Sequence, residues 1–172
     1  KNIVGESHNS KILKIVDYLK SNKSDYIFVS APENVAWLLN IRGYDNPNSP
    51  IPNARLIIDK NKKIFLIAKK ENVKNIIKEK KISKNNIVEI KNLPELINKL
   101  KGKKFIIDNK SCSIFYENII KTKFKILNKE DPTYRLKSIK NSCEISHMIE
   151  AHKKDGLALT KFIYWIKNIN KK

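Results

Sequence analysis

The stretch DYIFVSAPENVAWLLNIRGYDNPNSP, residues 25–50, joins a strand to a helix and the helix to a turn. Its opening run, DYIFVS, is mainly apolar and aromatic, which is typical of a buried strand. Pro32 stands where the first turn of a helix tolerates proline, and an apolar run follows it as far as Asn40. Residues 32–40 are therefore predicted to form a short helix, with Gly43 just past its apolar run as an end signal.

The turn after this helix carries the residues that suggest a functional site. Trp37 is expected to pack into the core from the short helix, because burial is the commoner use of tryptophan. Arg42 and Asp45 flank Gly43 closely enough for a charge-assisted hydrogen bond that fixes the turn. Arginine also suits carboxylate capture, so two uses stay open: a structural one, and contact with a peptide carboxylate or with the cleft of a neighbouring subunit. The candidate residues that frame a cleft or fix the turn are Trp37, Arg42, Tyr44 and Asp45.

Helices and strands alternate on both sides of this stretch. Upstream, apolar residues recur at helical spacing in residues 10–22 and predict a helix with its lysines on the other face. Downstream, two strands joined by a tight polar turn predict a hairpin at 54–68. The remaining predicted elements are a helix at 71–80, a strand at 86–90, a helix at 93–100, a strand at 103–108, a helix at 111–120 and a strand at 124–128. Short apolar strands bounded by helices favour an α/β domain, with a mixed β-sheet covered by helices on both faces.

The last segment differs in character from the rest of the chain. From Leu136 to Ile169 almost every residue is a good helix former, which predicts one long C-terminal helix. Asn141 and Glu144 have the spacing of a capping box with Asn in the cap position. The apolar residues of this helix recur at threes and fours and form a stripe that needs a partner. The expected organisation is a domain at 1–131, followed by a linker and the first helix of a second, truncated domain at 132–172.

The charge of the chain raises the question of nucleic acid as a partner. The 172 residues carry a formal net charge of +19, from 36 basic and 17 acidic side chains. Only three of the basic residues are arginines, however, and arginine is the side chain that readers of bases and phosphates favour. The lysines are spread over the whole chain without a concentrated tract. We therefore expect no specific nucleic-acid binding, and only weak, salt-sensitive attraction to polyanions.

The apolar runs and the cysteines indicate the compartment. The longest apolar runs are far shorter than a membrane span, and the start of the chain has no signal-peptide pattern, so no membrane partner is expected. Cys112 and Cys143 lie far apart without CxxC spacing, which gives neither a zinc knuckle nor a disulfide framework and favours a reducing cytoplasm. The chain begins at Lys1 without a methionine, so an excised fragment of a longer protein is expected.

The sequence offers little material for catalysis. His147 and His152 are five residues apart, about 140° around a helix, so they cannot bind one metal ion together. His152 is expected to be a hydrogen-bonded histidine on a helix face. Asp25, Asp59 and Asp108 are expected at strand ends, where turn capping explains them. No metalloprotease, nucleophile-elbow or phosphate-loop motif is present, so no catalytic or metal-binding residue is predicted in this chain.

Three segments carry a resemblance to a known family. They are GESHNSKILKIVDYL at 5–19, PENVAWLLNIRGYDNPNSP at 32–50 and YRLKSIKNSCEISHMIEAHKKDGLALTKFIYWI at 134–166. The second resembles the family's Ile-Ala-Trp-Leu-x-Asn-x-Arg-Gly-x-Asp segment. The third resembles its Lys-x-x-Lys-Asn-x-x-Glu run and the Ala-His-x-x-Asp-Gly-x-Ala-Leu helix. In these segments the chain resembles three-domain Xaa-Pro aminopeptidases of the creatinase (pita-bread) superfamily, as their middle domain with the first helix of the catalytic domain.

The resemblance implies a creatinase N-terminal-like fold and a parent enzyme that removes an N-terminal residue preceding proline. In that family two divalent metal ions, commonly manganese, are held by two Asp, one His and two Glu side chains of the catalytic domain, beyond the end of this chain. Peptides with proline in the second position are the implied substrates, and the implied parent is a cytoplasmic homo-oligomer such as a dimer. The fragment alone is expected to be inactive, with its domain shaping the cleft and supporting assembly. A non-catalytic, protein-binding relative similar to histone chaperone subunits stays open as an alternative.

Overall fold

The computed structural model describes residues 3–79 and 81–169, which divide into two compact units. The first unit is Ser7–Ser138. The second unit joins the described residues before Ser7 to those from Ile139 onward. Parts of the predicted helix at 71–80 and of the two predicted domains lie outside the described residues, namely residues 1, 2, 80 and 170–172.

The alternation of helices and strands predicted from the sequence is confirmed. The helices are α1 (His8–Ser21), α2 (Pro32–Leu39), α3 (Lys74–Lys78), α4 (Leu93–Lys99), α5 (Ile114–Lys121), α6 (Pro132–Ser138) and α7 (Ser142–Asn168). The strands are β1 (Tyr26–Val29), β2 (Arg55–Asp59), β3 (Ile64–Ile67), β4 (Ile87–Val88), β5 (Lys104–Ile107) and β6 (Lys125–Asn128). Short 3₁₀ turns lie at Lys70–Val73, Lys84–Asn86 and Ile90–Asn92.

The strands form one mixed, six-stranded sheet in the order β4-β3-β2-β1-β5-β6. Strand β1 pairs with antiparallel β2 on one side and with parallel β5 on the other, so that Phe28 lies between Ile57 and Ile107. Strands β2 and β3 form the predicted hairpin. Strands β4 and β6 extend the sheet at its two edges, each parallel to its neighbour.

Both faces of the sheet are covered, which explains why its strands are continuous apolar runs. In β1, Ile27 and Val29 belong to a first core with α1 and α2, whereas Phe28 belongs to a second core with α4 and α5. Leu38 of α2 is fully buried in the first core, and Ile97 of α4 is fully buried in the second. The predicted α/β architecture, a mixed sheet with helices on both faces, is therefore confirmed.

Helix α2 ends at Leu39, within one residue of the predicted end, but the residue that caps it is Asn40 and not Gly43. Asn40, with φ of 51°, takes the left-handed cap position, and its N–H group points at the carbonyls of Ala36 and Trp37. Asparagine is one of the few non-glycine side chains that visits this conformation readily. Gly43 has another use, because a Cβ atom on it would lie only 2.5 Å from Cα of Pro52. Glycine at this position lets the two ends of the following loop approach each other.

The prediction of one helix from Leu136 to Ile169 is wrong at its start. Residues Pro132–Ser138 form α6, which belongs to the first unit and contributes the fully buried Thr133. A separate helix, α7, then begins at the predicted capping box, which is confirmed: the Glu144 N–H donates to Asn141 Oδ1 at 3.0 Å, and the Asn141 N–H donates to Glu144 Oε2 at 2.9 Å. The polar cap starts a new helix here, so the two helical segments are distinct.

The first unit extends through Ser138, past the predicted domain boundary at 131. The unit extends this far because side chains of α6 are buried in it. The assignment of 132–172 to a catalytic domain stays a prediction.

Helix α7 exposes the predicted apolar stripe. The stripe and its neighbours are between 44% and 57% exposed and include Ile145, Met148, Ile149, Phe162, Ile163, Trp165 and Ile166. Among the described residues, no helix has both the length and the apolar character needed to cross a membrane.

Candidate functional site

The candidate residues lie in and before a closed loop that joins α2 to β2. The Ile41 N–H donates to the carbonyl of Ala36 at 3.0 Å, and the Gly43 N–H donates to the carbonyl of Pro50 at 2.9 Å. The close approach of Gly43 to Pro52 adds a second contact across the base of the loop. The residues between these contacts therefore form a tip that is largely exposed to solvent.

The predicted hydrogen bond between Arg42 and Asp45 is wrong. The carboxylate of Asp45 accepts from the backbone N–H of Asn53 at 2.7 Å and from Nδ2 of Asn72 at 2.6 Å. Arg42 donates from Nη1 to the carbonyl of Ile41 at 2.8 Å, its only hydrogen bond with the described residues. Asp45 thus fixes the turn without the arginine, and the exposed guanidinium keeps most of its donors available for a ligand.

Tyr44 stands at the tip of the turn and is 98% exposed. A cavity of about 290 Å³ lies beside it, and its lining includes Arg42, Asp45 and the apolar side chains of Leu66 and Val73. Tyrosine and arginine are the side chains most enriched where proteins recognise other molecules. The geometry therefore suits recognition of a ligand or of another protein surface.

Trp37 packs partly against the first core, as predicted, and its ring covers a buried lysine. Lys11 is only 1% exposed, and its Nζ lies 3.9 Å from the centroid of the Trp37 ring. The same ammonium donates to the carbonyl of Trp37 at 3.0 Å and to Oδ1 of Asn40 at 2.7 Å. Lys81 adds a hydrogen bond from its Nζ to the carbonyl of Asn40 at 3.0 Å. Two lysines therefore hold the residue at which α2 ends and the turn begins.

Lys11 corrects the expectation that the lysines of α1 lie on the exposed face. It precedes the fully buried Ile15 by one helical turn, so the 3.6-residue period already places it on the buried face.

His8, at the start of the same helix, is affected by the charge of another lysine, Lys81. Burial lowers the pKa of His8, and the charge of Lys81 lowers it further.

The predicted turn-capping role is confirmed for Asp59 and for Asp108, whose Oδ1 accepts from the N–H of Lys110 at 2.9 Å, whereas Asp25 accepts from backbone N–H groups at the start of β5. Asp59 Oδ1 accepts from the backbone N–H groups of Asn61 and Lys63, which closes the hairpin between β2 and β3. Asp25 Oδ2 accepts from the N–H of Lys103 at 2.8 Å. Burial alone would raise the pKa of Asp25, but the hydrogen bonds from Lys103 and from the neighbouring lysines outweigh it and leave the pKa lowered.

A buried polar cluster ties α6 to the sheet and to α2. Asn34 Nδ2 donates to Asp131 Oδ2 at 2.7 Å, and Lys137 Nζ donates to Asn34 Oδ1 at 2.6 Å. The Asp131 N–H donates to Asp108 Oδ2 at 3.0 Å, and the Thr133 N–H donates to Asp131 Oδ1 at 2.9 Å. Burial raises the pKa of Asp131 against the opposing effect of these hydrogen bonds. Every carboxylate oxygen named here has a backbone or amide partner, so the cluster serves the fold.

The remaining candidates for chemistry have structural explanations. Burial raises the pKa of the Cys112 thiol to about 11, so it is protonated and a poor nucleophile at neutral pH. His152 Nδ1 lies 2.8 Å from the carbonyl of Met148, as expected for a histidine bonded on a helix face. Within residues 3–79 and 81–169, no three His, Cys, Asp or Glu side chains are grouped so that they could hold a metal ion. The described residues therefore do not fit a metal centre.

These features define the class of the protein: a mixed α/β domain whose exposed turn suits recognition, with the fold of creatinase N-terminal-like domains. The chain belongs to the Creatinase/Prolidase N-terminal domain family, which matches residues 1–144. Within that family its relatives are aminopeptidase P-like proteins.

Curated relatives are named as aminopeptidases. Xaa-Pro aminopeptidase 1 of Dictyostelium discoideum is 29% identical over 164 residues, a match that covers 94% of this chain and 26% of the relative. Xaa-Pro aminopeptidase ApepP of Drosophila melanogaster is 28% identical over 160 residues, covering 89% of this chain and 26% of the relative. The chain therefore spans about a quarter of the length of these relatives.

Solved structures confirm the fold. The X-prolyl aminopeptidase of Caenorhabditis elegans, a cytosolic enzyme with a di-nuclear active site, matches with a TM-score of 0.78 at 20% identity, over 97% of this chain and 28% of that chain. The prolidase of Pyrococcus furiosus matches with a TM-score of 0.51 at 25% identity, over 76% of this chain and 36% of that chain. Both comparisons support a creatinase N-terminal-like architecture.

Proposed function

We propose that this chain is the non-catalytic middle-domain part of a metal-dependent Xaa-Pro aminopeptidase, and that the turn at Arg42–Asp45 frames its substrate cleft. In this proposal Arg42 attracts a carboxylate of the peptide substrate, and Tyr44 forms part of the cleft wall. The observation that carries it is the pair of an exposed guanidinium with one hydrogen bond and a 98% exposed tyrosine, on a loop that Asp45 fixes. A fixed loop presents both side chains with little loss of conformational entropy on binding.

The comparisons support this assignment over a protein-binding relative without activity. The named curated relatives are Xaa-Pro aminopeptidases, and the nematode enzyme has a di-nuclear site. Since the described residues do not fit a metal centre, the two metal ions, which we propose to be manganese, belong to a catalytic domain to which α7 contributes its first helix. We propose that this domain covers the exposed apolar stripe of α7, because stripes of this size serve as interaction surfaces. The parent enzyme is proposed to be a cytoplasmic homo-oligomer.

The test uses the longer protein that joins this chain to its catalytic domain. We expect Arg42→Gln to raise the KM for a peptide with proline in the second position by about tenfold, with little change in kcat, because one charge-assisted hydrogen bond to the substrate is lost. Arg135→Gln is the matched control, since it removes an exposed arginine from α6. Equal KM values for the two variants would contradict the role of Arg42. Cleavage by the 172-residue chain alone, abolished by a chelator, would contradict the non-catalytic assignment.

A further inference from the structure

A second cavity lies where the chain leaves the sheet toward opposite faces. Strand β1 continues into α2, which packs in the first core, and the parallel strand β5 continues into α5, which packs in the second core. In open α/β sheets, ligands bind in the crevice beyond the carboxyl ends of strands at such a switch point. The cavity at this point has a volume of about 340 Å³, which is enough for a small molecule.

Two cationic side chains with unused donors line this cavity. Arg55, at the start of β2, makes its two hydrogen bonds from Nη1 alone, to Asn53 Oδ1 at 2.9 Å and to the carbonyl of Ala54 at 3.2 Å. Its Nε and Nη2 groups therefore have no hydrogen-bond partner among the described residues. The guanidinium carbon lies 5.8 Å from the ring centroid of Tyr116, which restrains its position. Lys110, in the loop after β5, makes no ion pair with the described residues.

Hydroxyl groups and helix amides complete the lining. Ser30 is only 5% exposed, and its Oγ lies 2.9 Å from Oγ of Ser111, a second lining residue. Ser113 occupies the N-cap of α5, but its side chain makes no capping hydrogen bond. The Ser113 hydroxyl and the first N–H groups of α5 therefore keep donors for a ligand, at the positive end of the helix. The polar side chains of the lining are thus cationic or hydroxylic, with one acidic exception.

That acidic side chain, Glu33, narrows the choice of ligand. It lines the same cavity as Arg55 and Lys110, yet it forms an ion pair with neither among the described residues. We propose that the cavity binds the phosphate group of a small phosphate monoester, with Arg55 and Lys110 on the anionic oxygens and Glu33 accepting from a protonated oxygen or a hydroxyl of the ligand. A phosphate offers enough acceptor oxygens for several such donors at once, whereas a carboxylate offers two oxygens.

The test is a titration of the ¹⁵N-labelled 172-residue chain with inorganic phosphate at constant ionic strength. We expect saturable shifts of the amide signals of residues 111–116. Arg55→Gln and Lys110→Gln should each raise the apparent Kd about tenfold, because each removes one charge-assisted contact. Glu33→Gln keeps an acceptor oxygen for the ligand but removes the one negative charge of the lining, so it should strengthen phosphate binding.

Matched controls come from an exposed ion pair that does not line the cavity. Lys99 and Glu95 lie on α4, with 2.6 Å between their charged groups. Lys99→Gln and Glu95→Gln make the same charge changes on this strongly basic chain, and we expect unchanged phosphate affinity for both. If Lys99→Gln raises the Kd as much as Lys110→Gln does, the proposed site is wrong and phosphate is attracted diffusely by the positive charge of the chain. Acetate binding as tightly as phosphate would overturn the assignment of phosphate, and if Arg55→Gln fails to fold, Lys110→Gln at an exposed side chain still decides.

Discussion

A chain that ends at Glu130 should be much less stable than one that ends at Ser138. The shorter chain lacks α6 and the residue before it, so Asn34 loses Asp131 as the acceptor for its amide, and Asp108 loses a backbone donor. A buried polar group without its partner costs about 1–3 kcal/mol. Two such groups give an expected loss of about 2–6 kcal/mol in the free energy of unfolding, before the packing of Thr133 is counted.

The assay compares the two chains in urea and in thermal unfolding, followed by far-ultraviolet circular dichroism. For domains of this size each kcal/mol corresponds to roughly 2–8 °C, so we expect the Tm of the shorter chain to be lower by about 4 °C or more. The chain that ends at Ser138 should unfold in one cooperative transition, because it keeps the whole first unit. Equal Tm values and equal urea midpoints would show that α6 does not stabilise the first unit and would place the boundary of that unit at residue 131.

Two further changes test other contacts of the first unit. Lys11→Met leaves the carbonyl of Trp37 without its ammonium donor, and we expect the free energy of unfolding in urea to fall by about 2 kcal/mol. The control Lys20→Met, at an exposed lysine of the same helix, should change it little. A Lys11→Met chain as stable as the control would show that burying the ammonium costs as much as its contacts gain. The pKa of Asp25 is lowered in the folded state, so its stabilising contribution is present above the unfolded pKa and is lost as the pH falls through the folded pKa. Asp25→Asn should therefore flatten the acid limb of the stability profile, measured as urea midpoints from neutral to acidic pH, and an unchanged acid limb would contradict this assignment.

The sequence predicts the sheet well because its strands are short apolar runs, each flanked by helices or turn residues. It predicts the capping box of α7, because this is a local pattern of Asn141 and Glu144, but it does not predict the break between α6 and α7. The candidate site is less predictable, since its bonds join residues distant along the chain. Asp45 is only three residues from Arg42, but its hydrogen-bond partner Asn72 is 27 residues away and is brought close by the hairpin of β2 and β3.

Charge patterns also mislead when they are interpreted without packing. Lysines on an amphipathic helix usually mark its exposed face, but Lys11 finds carbonyl and amide oxygens at the end of α2. Burial of its long side chain depends on Trp37 and Asn40, which belong to another helix, so the pattern within α1 alone cannot identify its partners. Helical spacing predicts that Lys11 lies on the buried face of α1, but only the tertiary structure identifies the oxygens that accept from its ammonium group.

The arrangement around Trp37 has a practical consequence. The chain contains two tryptophans, and the other is Trp165 on α7, which is 57% exposed and belongs to the second unit. Each compact unit therefore carries its own intrinsic fluorophore, one against a buried ammonium group and the other in contact with water. With either tryptophan replaced by phenylalanine, the emission of the remaining one reports on a single unit, so the loss of structure in each can be timed separately within the same polypeptide.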